Sequence, residues 1–291
     1  MNERPDQSPI TSARSERVRK VAALAGRSAR RKQGRFRIEG PQAVRSLLTH
    51  RPELALEVHL TERAADDHPD LVSLARAAGA PANTLDEQVL RAMVREDAAS
   101  PAAHGALVSP QGVVALGTLP AEDPLAALTA LETLPADEPL TVVVLHEVRD
   151  PGNVGTLIRT ADAAGADLVL LTRTSADPYS PKAVRAAVGS LFHLPVLAGA
   201  EIAPVLETLA ARGITAAATS GHAEVELFTV ELPQRLAWIL GNEARGLDEE
   251  TLSAAPLTVR IPLAGHAESL NVHTAATVCL FETLRRRRAR A

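Results

Sequence analysis

The sequence predicts a two-domain α/β protein, and three observations lead to this prediction. The chain has 291 residues, more than one domain of ordinary size needs. Segments with the apolar pattern of strands alternate with segments of helical periodicity. A stretch with four prolines, residues 120–139, separates a basic first part from the remainder. The hydrophobic content of 46% is enough for a core, which must be aliphatic because aromatic residues make up only 2%.

The first domain is predicted to be a small α/β unit over residues 15–118. Residues 1–14 are polar, contain two prolines and are expected to be disordered. Phe36 and Ile38 alternate with arginines as in a strand, and Pro41 suits the first turn of a helix. We expect helices at 15–24, from 41, at 69–78 and at 86–94, and strands at 36–38, 54–60 and within 104–116.

The second domain, residues 139–291, is predicted to follow a linker over 119–138 and to contain a parallel sheet. The linker has a short helical pattern in its middle. Five apolar runs alternate with helical patterns along this part of the chain. The runs are hydrophobic on both faces, which is typical of parallel strands covered by helices on both sides. The predicted strands span 140–146, 167–171, 214–219, 236–240 and 257–261. The predicted helices span 153–164, 182–189, 201–212, 248–254 and 271–287.

Basic residues concentrated near the start of the chain indicate an anionic partner. The net charge is -4, yet residues 12–37 hold ten lysines and arginines and a single acid. A chain that is acidic overall but locally this basic is typical of proteins that bind an anionic polymer. The alternative is a solvated charged helix. The scarcity of aromatic residues argues against a surface that stacks single-stranded bases.

Several features that are absent from the sequence reduce the number of protein classes to which the chain could belong. Cys279 is the only cysteine, so no disulfide can form within the chain, which fits a reducing cytoplasm. No apolar run reaches the roughly 18 residues of a membrane span and no signal-peptide core is present, so we expect a soluble, cytoplasmic protein. No Gly-x-Gly-x-x-Gly follows a strand, which argues against a nucleotide-dependent oxidoreductase. The histidines are scattered, and no metal is expected.

Three short segments stand where a predicted strand gives way to a loop or helix. The first is Asn153-Val-Gly-Thr-Leu-Ile-Arg159-Thr, which opens a helix. Asn153 is suited to cap that helix, and Gly155 allows a backbone or ligand to approach closely. Arg159 lies off the apolar stripe of the helix, so packing does not account for it. On its own, such an arginine is most simply a solvated charge.

The second and third segments follow the last two predicted strands. They are Gly241-Asn-Glu-Ala-Arg-Gly-Leu247, and Ile261-Pro-Leu263 together with Ser269-Leu-Asn271-Val. Gly241 can expose backbone groups at the carboxyl edge of the sheet, where α/β proteins bind ligands. Pro262 stops its strand because it removes a backbone donor.

In this order, the three segments resemble the signature motifs of the SpoU (TrmH) branch of the SPOUT RNA methyltransferases. The resemblance covers residues 139–291 closely and 15–118 more loosely, where Gly34-Arg-Phe-Arg-Ile-Glu-Gly40 is similar to the SpoU substrate-binding domain. It implies methyl transfer from S-adenosylmethionine to a ribose 2'-hydroxyl of RNA. It also implies a trefoil knot in the mostly parallel sheet, preceded by a small α/β RNA-binding domain. Knots are nearly absent from other folds, so composition would not suggest this one.

The resemblance places Arg159 nearest the target ribose, as the base that takes the hydroxyl proton. Arginine is normally always protonated, so the alternative is that its fork holds the adjacent phosphate and aligns the hydroxyl. Glu243 is expected to orient Arg159 or the ribose, while Ser269 and Asn271 bind the nucleotide and cofactor or simply cap the last helix. The implied catalytic set is Arg159, Asn153, Glu243, Ser269 and Asn271.

The same resemblance implies the binding residues. Cofactor contacts are expected from Thr219, Ser220, Gly221, Leu240, Gly241, Asn242, Ile261, Pro262, Leu263 and Leu270. Phosphate contacts, which give affinity rather than sequence choice, are expected from Arg27, Arg30, Arg31, Lys32, Arg35 and Arg37. Two departures from the family pattern, Ala244-Arg245 and His273, lie beside the central positions, where we expect an effect on the fit of RNA rather than on catalysis.

The last helix is expected to form a homodimer interface, because family members dimerise through this helix and that of the first segment. Packing on the sheet alone would account equally well for its broad apolar face. That face consists of Val272, Ala275, Ala276, Cys279, Leu280 and Leu284.

The leading hypothesis is an S-adenosylmethionine-dependent RNA 2'-O-ribose methyltransferase. The two-domain layout favours 23S ribosomal RNA as its substrate over tRNA, although a tRNA 2'-O-methyltransferase is an alternative. A housekeeping role is favoured over antibiotic resistance because it is commoner. A non-catalytic RNA-binding or ribosome-assembly protein on the same fold is the other alternative. Against it stand the intact Arg159, Glu243, Ser269 and Asn271, which a decayed site would be free to lose.

Overall fold

The computed structural model describes residues 10, 12–95, 111–121, 123 and 125–290, which form two compact units. The first unit extends to Pro120 and includes Tyr179–Pro181. The second unit contains the other residues from Ala121 onward. Each unit has its own β-sheet.

Within the residues that the structure describes, the first unit has four strands: β1 (Arg35–Glu39), β2 (Ala55–Leu60), β3 (Ala82–Thr84) and β4 (Val113–Thr118). In the sheet, β4 lies between β1 and β2 and is antiparallel to both, and β3 pairs in parallel with the other edge of β2. The helices of this unit are α1 (Glu16–Ala22), α2 (Arg27–Gln33), α3 (Pro41–His50), α4 (Glu62–Asp67), α5 (Pro69–Ala77) and α6 (Glu87–Met93).

Three elements of the first unit were not predicted. The basic stretch after Gly26 forms α2, which Gly34 ends in the left-handed conformation (φ 61°) by donating to the carbonyls of Arg30 and Arg31. Helix α4 and strand β3 have six and three residues, too few to show a periodicity. Of the strand region expected over 104–116, residues 104–110 lie outside the described residues, and β4 begins at Val113.

Two of the arginines predicted to contact RNA are instead buried, so their assignment to RNA is wrong. Arg30 is 2% exposed and Arg37 is 1% exposed. Arg30 donates hydrogen bonds of 2.8 Å to the carbonyls of Leu24 and Ala25. Arg37 donates to Glu39 and to the carbonyls of Ala22, Met93, Val94 and Arg95. These guanidinium groups satisfy backbone carbonyls inside the unit, which a count of basic residues does not reveal.

The other predicted RNA contacts are compatible with binding at a surface. Arg27, Arg31 and Lys32 of α2 are exposed, and Arg35 is half-buried. Their role in RNA binding stays a prediction.

The second unit contains a sheet of seven strands, and every strand pair in it is parallel. The strands are β5 (Leu140–Leu145), β6 (Leu168–Thr172), β7 (Val196–Ala200), β8 (Thr215–Thr219), β9 (Val225–Glu226), β10 (Arg235–Leu240) and β11 (Leu257–Arg260). Their order is β7-β6-β5-β10-β8-β11-β9. The helices are α7 (Ala126–Thr133), α8 (Pro151–Ala163), α9 (Pro181–Ala187), α10 (Ile202–Ala211), α11 (Glu249–Ala254) and α12 (Val272–Arg290).

The buried strands confirm the predicted α/β class with its mostly parallel sheet. Strands β5 and β6 are buried throughout, and β10 is buried beyond its first residue. Two strands escaped prediction. Strand β7 carries a register shift and a left-handed Gly199 (φ 100°), while β9 has only two residues. Both lack the long apolar run that identifies a central strand.

The segment predicted as a linker, residues 119–138, is partly a packed element. Helix α7 contributes Ala127 and Leu131, which are 2% and 0% exposed, to a hydrophobic core of the second unit. Helix α7 confirms the short helical pattern predicted in the middle of this segment, whereas its packing against the core was not predicted. Burial of the apolar residues that lie at helical spacing between the prolines offsets the entropy lost when this segment is ordered.

Among the described residues, no helix combines the length and the apolar character needed to span a bilayer. The same residues contain no group of three or more His, Cys, Asp or Glu side chains arranged to hold a metal ion. The trefoil knot and the domain boundaries at 15–118 and 139–291 stay predictions.

Candidate cofactor and catalytic site

Helix α8 begins two residues earlier than predicted, and Asp150 rather than Asn153 caps it. Asp150 Oδ1 accepts the N–H of Asn153 at 2.9 Å, and Pro151 occupies the first turn, where no backbone donor is needed. The predicted capping role of Asn153 is therefore wrong. Lys182 Nζ donates to Asp150 Oδ2 at 2.6 Å, and this hydrogen bond lowers the pKa of the Asp150 carboxyl.

The Asn153 side chain, which does not cap the helix, binds Glu243 of the second segment. Its Nδ2 donates to Glu243 Oε1 at 3.1 Å, and the backbone N–H groups of Arg149 and Asp150 donate to the same carboxylate at 3.2 and 3.1 Å. Partial burial opposes ionisation of Glu243, but these hydrogen bonds prevail and lower its pKa. The carboxylate thus joins the second segment to the start of α8, and its hydrogen bonds do not go to Arg159.

The loop 241–247 is closed by its own backbone. Asn242 and Gly246 exchange backbone hydrogen bonds of 3.0 and 2.9 Å, and the Asn242 side chain accepts the N–H groups of Ala244 and Arg245. A Cβ atom at Gly241 would lie 2.5 Å from the carbonyl carbon of Gly246. Glycine is therefore required at Gly241 by the closure of the loop itself, a reason that the sequence alone does not show.

The third segment runs from the end of β11 to the start of α12. Ser269 is exposed, and its hydroxyl has no hydrogen-bond partner among the described residues. Asn271 Oδ1 accepts the N–H of His273 at 2.9 Å, so Asn271 caps the last helix, as one of the two predicted alternatives required. The Ser269 hydroxyl is thus available to a ligand, whereas the Asn271 oxygen is engaged by the backbone.

A cavity of about 410 Å³ lies at the carboxyl ends of β8, β10 and β11, where the second and third segments meet. The predicted residues that line it are Thr219, Ser220, Gly221, Gly241, Asn242, Glu243, Ile261, Leu263, Ser269 and Leu270. Its lining combines apolar side chains with hydroxyl, amide and charged groups, and its volume is in the usual range for small-molecule sites.

Several lining residues were missed by sequence reasoning. They are His222, Ala244, Arg245, Gly246, Leu247, Leu252, Val259, Glu268, Val272 and Ala275. Those within 244–247 belong to the second motif segment, whose full length was a usable signal. Most of the others come from α11, β11 and α12, and only the folding of the chain brings them to this edge of the sheet.

Five predicted site residues do not line the cavity: Leu240, Pro262, Asn153, Arg159 and Asn271. Leu240 is fully buried in the sheet, so its side chain is part of the core. Arg159 is exposed on α8 and makes no hydrogen bond or ion pair with another described residue.

Arg159 is followed by Thr160, whose hydroxyl lies 2.9 Å from His273 Nε2 of α12. His273, a departure from the family pattern, therefore ties α8 to α12.

Comparisons with known proteins agree with this architecture. The model of the SpoU rRNA Methylase family matches residues 140–281. The chain is 34% identical over 254 residues to the 23S rRNA (guanosine-2'-O-)-methyltransferase RlmB of Pseudomonas syringae, covering 87% of this chain and 97% of that protein. It is 31% identical over 272 residues to the 23S rRNA (guanosine(2553)-2'-O)-methyltransferase RlmP of Bacillus subtilis, covering 94% of this chain and 97% of that one.

A solved structure matches along almost the full length as well. The crystal structure of an AdoMet-bound rRNA methyltransferase from Sinorhizobium meliloti has a TM-score of 0.78 and 30% sequence identity, covering 96% of this chain and 97% of that chain. Fold, motif order and the sequence of both units therefore agree. The chain belongs to the SpoU rRNA methylase family and is an S-adenosylmethionine-dependent RNA 2'-O-methyltransferase.

Proposed function

We propose that this protein methylates a ribose 2'-hydroxyl of 23S ribosomal RNA and binds S-adenosylmethionine in the cavity at the carboxyl ends of β8, β10 and β11. The convergence of the second and third segments on that cavity carries the proposal. The cofactor supplies an electrophilic methyl group on a sulfonium. The predicted substrate rests on the names of the relatives RlmB and RlmP, both of which are 23S rRNA 2'-O-methyltransferases.

The protein's part in the reaction is to align the acceptor. The ribose oxygen must approach the methyl carbon opposite the sulfur, so that the new C–O bond forms as the C–S bond breaks and the hydroxyl proton leaves. Holding the two reactants in this geometry can contribute about 7–11 kcal/mol. Of the predicted catalytic residues, Ser269 and Arg159 are the two whose side chains have no partner among the described residues, and we assign to them the contacts with the acceptor nucleotide.

Glu243 and Asn153 stabilise the arrangement of the two segments between which the acceptor ribose is placed. Their hydrogen bond of 3.1 Å couples the cavity loop to α8, the helix that carries Arg159. Arg159 then binds the phosphate next to the target ribose through its fork, an assignment that suits an exposed guanidinium. The proton is released to water in this arrangement. Asn271 contributes indirectly by capping α12, whose first turn lines the cavity through Val272.

Substituting arginine for Leu263 should block the cofactor. Leu263 lines the cavity and is 39% exposed, so the arginine is tolerated by the fold but takes the place of the ligand. We expect the affinity for S-adenosylhomocysteine, measured by calorimetry, to fall by more than about tenfold, because ligand binding would desolvate an unpaired charge. Phe228→Arg is the matched control, since Phe228 is 51% exposed and does not line the cavity.

Equal loss of affinity in Leu263→Arg and Phe228→Arg, or no loss in either, would contradict the placement of the cofactor. A glycine substitution is a poorer test. Any side chain at Gly241 collides with the backbone of Gly246, so a failure to bind there would report a broken loop.

The exposed basic residues of α2 are proposed to bind RNA phosphates. Changing Arg27, Arg31 and Lys32 to glutamine should weaken RNA binding and lower the magnitude of its salt slope by about 0.7–0.9 for each phosphate that the variant no longer binds. Binding of a 23S rRNA fragment at several salt concentrations measures this slope. The control is Arg63→Gln on α4, whose side chain is 91% exposed. If the triple variant and the control share one slope, α2 does not contact the RNA backbone.

We also propose a cytoplasmic homodimer that associates through α12. This helix buries Ala276, Cys279 and Leu280 within its own unit, while Phe281 remains 44% exposed. An exposed phenylalanine on an otherwise packed helix favours a second contact surface. The knotted threading of the sheet, the N-terminal RNA-binding domain and the housekeeping role belong to the same proposal.

A further inference from the structure

Glu147, in the turn between β5 and α8, has an uncommon backbone conformation. Its φ angle is 56°, in the left-handed region that glycine adopts without strain and that other residues adopt rarely. Its N–H donates to Thr172 Oγ1 at 3.1 Å, and its carbonyl accepts Asn242 Nδ2 at 2.9 Å. The surrounding structure therefore fixes this conformation from both sides. Glycine would satisfy both hydrogen bonds with less strain, so the glutamate side chain needs its own explanation.

The carboxylate of Glu147 is directed to the cavity loop. Arg245 Nη2 donates to Glu147 Oε2 at 2.6 Å, and Arg149 Nη2 lies 3.7 Å from the same oxygen. The Glu147 side chain is 24% exposed and that of Arg245 is 68% exposed. Glu147 thus connects the start of α8 with the loop 241–247 through its backbone and through its side chain.

Arg245 lines the cavity, and it is the only lysine or arginine among the described lining residues. The lining acids are Glu243, whose carboxylate already accepts Asn153 and two backbone N–H groups, and Glu268. Glu147 engages one nitrogen of the Arg245 guanidinium, and the remaining side-chain N–H groups have no partner among the described residues. A planar group with spare parallel donors is suited to bind a carboxylate through two hydrogen bonds.

We propose that Arg245 binds the α-carboxylate of the cofactor and that Glu147 is the positioning residue that holds its guanidinium toward the cavity. The proposal rests on the cofactor site proposed above. An RNA phosphate is the other anion available, but two features favour the cofactor: Arg245 lines the cavity together with the rest of its loop, and Glu147 restrains the long side chain. Anchoring by Glu147 reduces the side-chain entropy that binding would otherwise cost.

The test compares two ligands that differ only in the carboxylate. Calorimetry of the full chain with S-adenosylhomocysteine and with its decarboxylated analogue measures the contribution of that group. Arg245→Gln should weaken binding of S-adenosylhomocysteine by about 10- to 100-fold, because a charge-assisted hydrogen bond is removed. The decarboxylated analogue should bind the variant and the unaltered protein within about threefold of each other. Arg173→Gln is the matched control, since Arg173 forms an ion pair of 2.8 Å with Glu201 and does not line the cavity.

The variant Glu147→Gly distinguishes a role of Glu147 in positioning the Arg245 guanidinium from a role in stabilising the fold. Glycine adopts the left-handed conformation without strain, so thermal stability should be retained or raised. Affinity for S-adenosylhomocysteine should still fall by about three- to tenfold, and Glu147→Gly should add little further loss in the Arg245→Gln background. A loss of stability that parallels the loss of affinity would make Glu147 a structural residue and would overturn its assigned role.

The remaining outcomes are distinct from one another. An equal loss of affinity for both ligands in Arg245→Gln would show that Arg245 only maintains the loop, and unchanged ligand binding with weakened RNA binding would assign the guanidinium to an RNA phosphate. Either result overturns the proposed binding of the carboxylate while leaving the cofactor site in place. Failure of the unaltered protein to bind S-adenosylhomocysteine would instead overturn the cofactor site.

Discussion

Replacing Arg159 with alanine should lower the rate of RNA methylation by about 100- to 10,000-fold, because the variant loses part of the alignment of the acceptor, which can contribute about 7–11 kcal/mol in all. Arg159 is exposed and has no partner among the described residues, so its removal should leave folding unchanged. Binding of S-adenosylhomocysteine should also be retained, because Arg159 does not line the cavity. Single-turnover methylation of a 23S rRNA fragment, together with calorimetry, measures both quantities.

Arg159→Lys distinguishes the two roles considered for this residue. Lysine keeps the positive charge but lacks the planar fork, so a phosphate contact that needs two parallel hydrogen bonds should be only partly restored. Partial rescue of the affinity for RNA would support the phosphate contact. A rate that stays low at saturating RNA, with a changed dependence on pH, would favour proton transfer. Retained activity in Arg159→Ala, with Arg173→Ala as the control for an exposed arginine, would remove Arg159 from the mechanism.

Replacing Arg37 with methionine should destabilise the first unit by about 3–5 kcal/mol, the usual result of breaking a buried ion pair from one side. The Arg37 and Glu39 side chains are 0% and 4% exposed and joined by a hydrogen bond of 2.7 Å. Methionine fills a similar length but would leave the Glu39 carboxylate without this partner. It would also remove the donors to carbonyls at the end of α6. Urea denaturation followed by circular dichroism gives the free energy of unfolding.

The matched control is Arg31→Met, because Arg31 belongs to the same basic stretch but is exposed. It should change stability by less than about 0.5 kcal/mol, as surface substitutions usually do. Should Arg37→Met be as stable as the unaltered protein while binding RNA less tightly, the assignment of Arg37 to RNA would be restored. The pair of variants therefore tests which basic residues belong to the core and which to the surface.

The sequence alone predicted the central strands and the class of the second unit, because a buried parallel strand requires an apolar run that few other structures need. It also indicated the edge of the sheet where the cavity lies, since ten of the predicted residues line it. Short elements such as β3, β7 and α4 were missed because periodicity cannot be recognised over so few residues. The helical pattern that became α7 was predicted within the linker, but its packing on the core was not, because the sequence does not show which surface its apolar residues contact.

The roles of charged residues were the least reliable of the predictions made from the sequence. Arg30, Arg31, Arg35 and Arg37 look alike in the sequence, yet Arg30 and Arg37 are buried and satisfy backbone carbonyls. The same holds for the acids of the site. Glu243 was expected to orient Arg159 or the ribose. Its carboxylate accepts hydrogen bonds from Asn153 and from the backbone before α8, while a contact with the ribose stays a prediction. The direction of a charged side chain depends on which elements pack beside it, and the spacing of residues does not contain that information.

By itself, the sequence determined the α/β class, the order of the three motif segments and the chemistry expected from them, because these properties depend on local pattern and residue type. Only the tertiary structure decided which arginines face solvent and why residue 241 has to be glycine. It also decided that Glu147 binds Arg245, which lies 98 residues further along the chain. These are properties of long-range contacts. They arise when the parallel strands bring distant loops to one edge of the sheet, where the site is assembled.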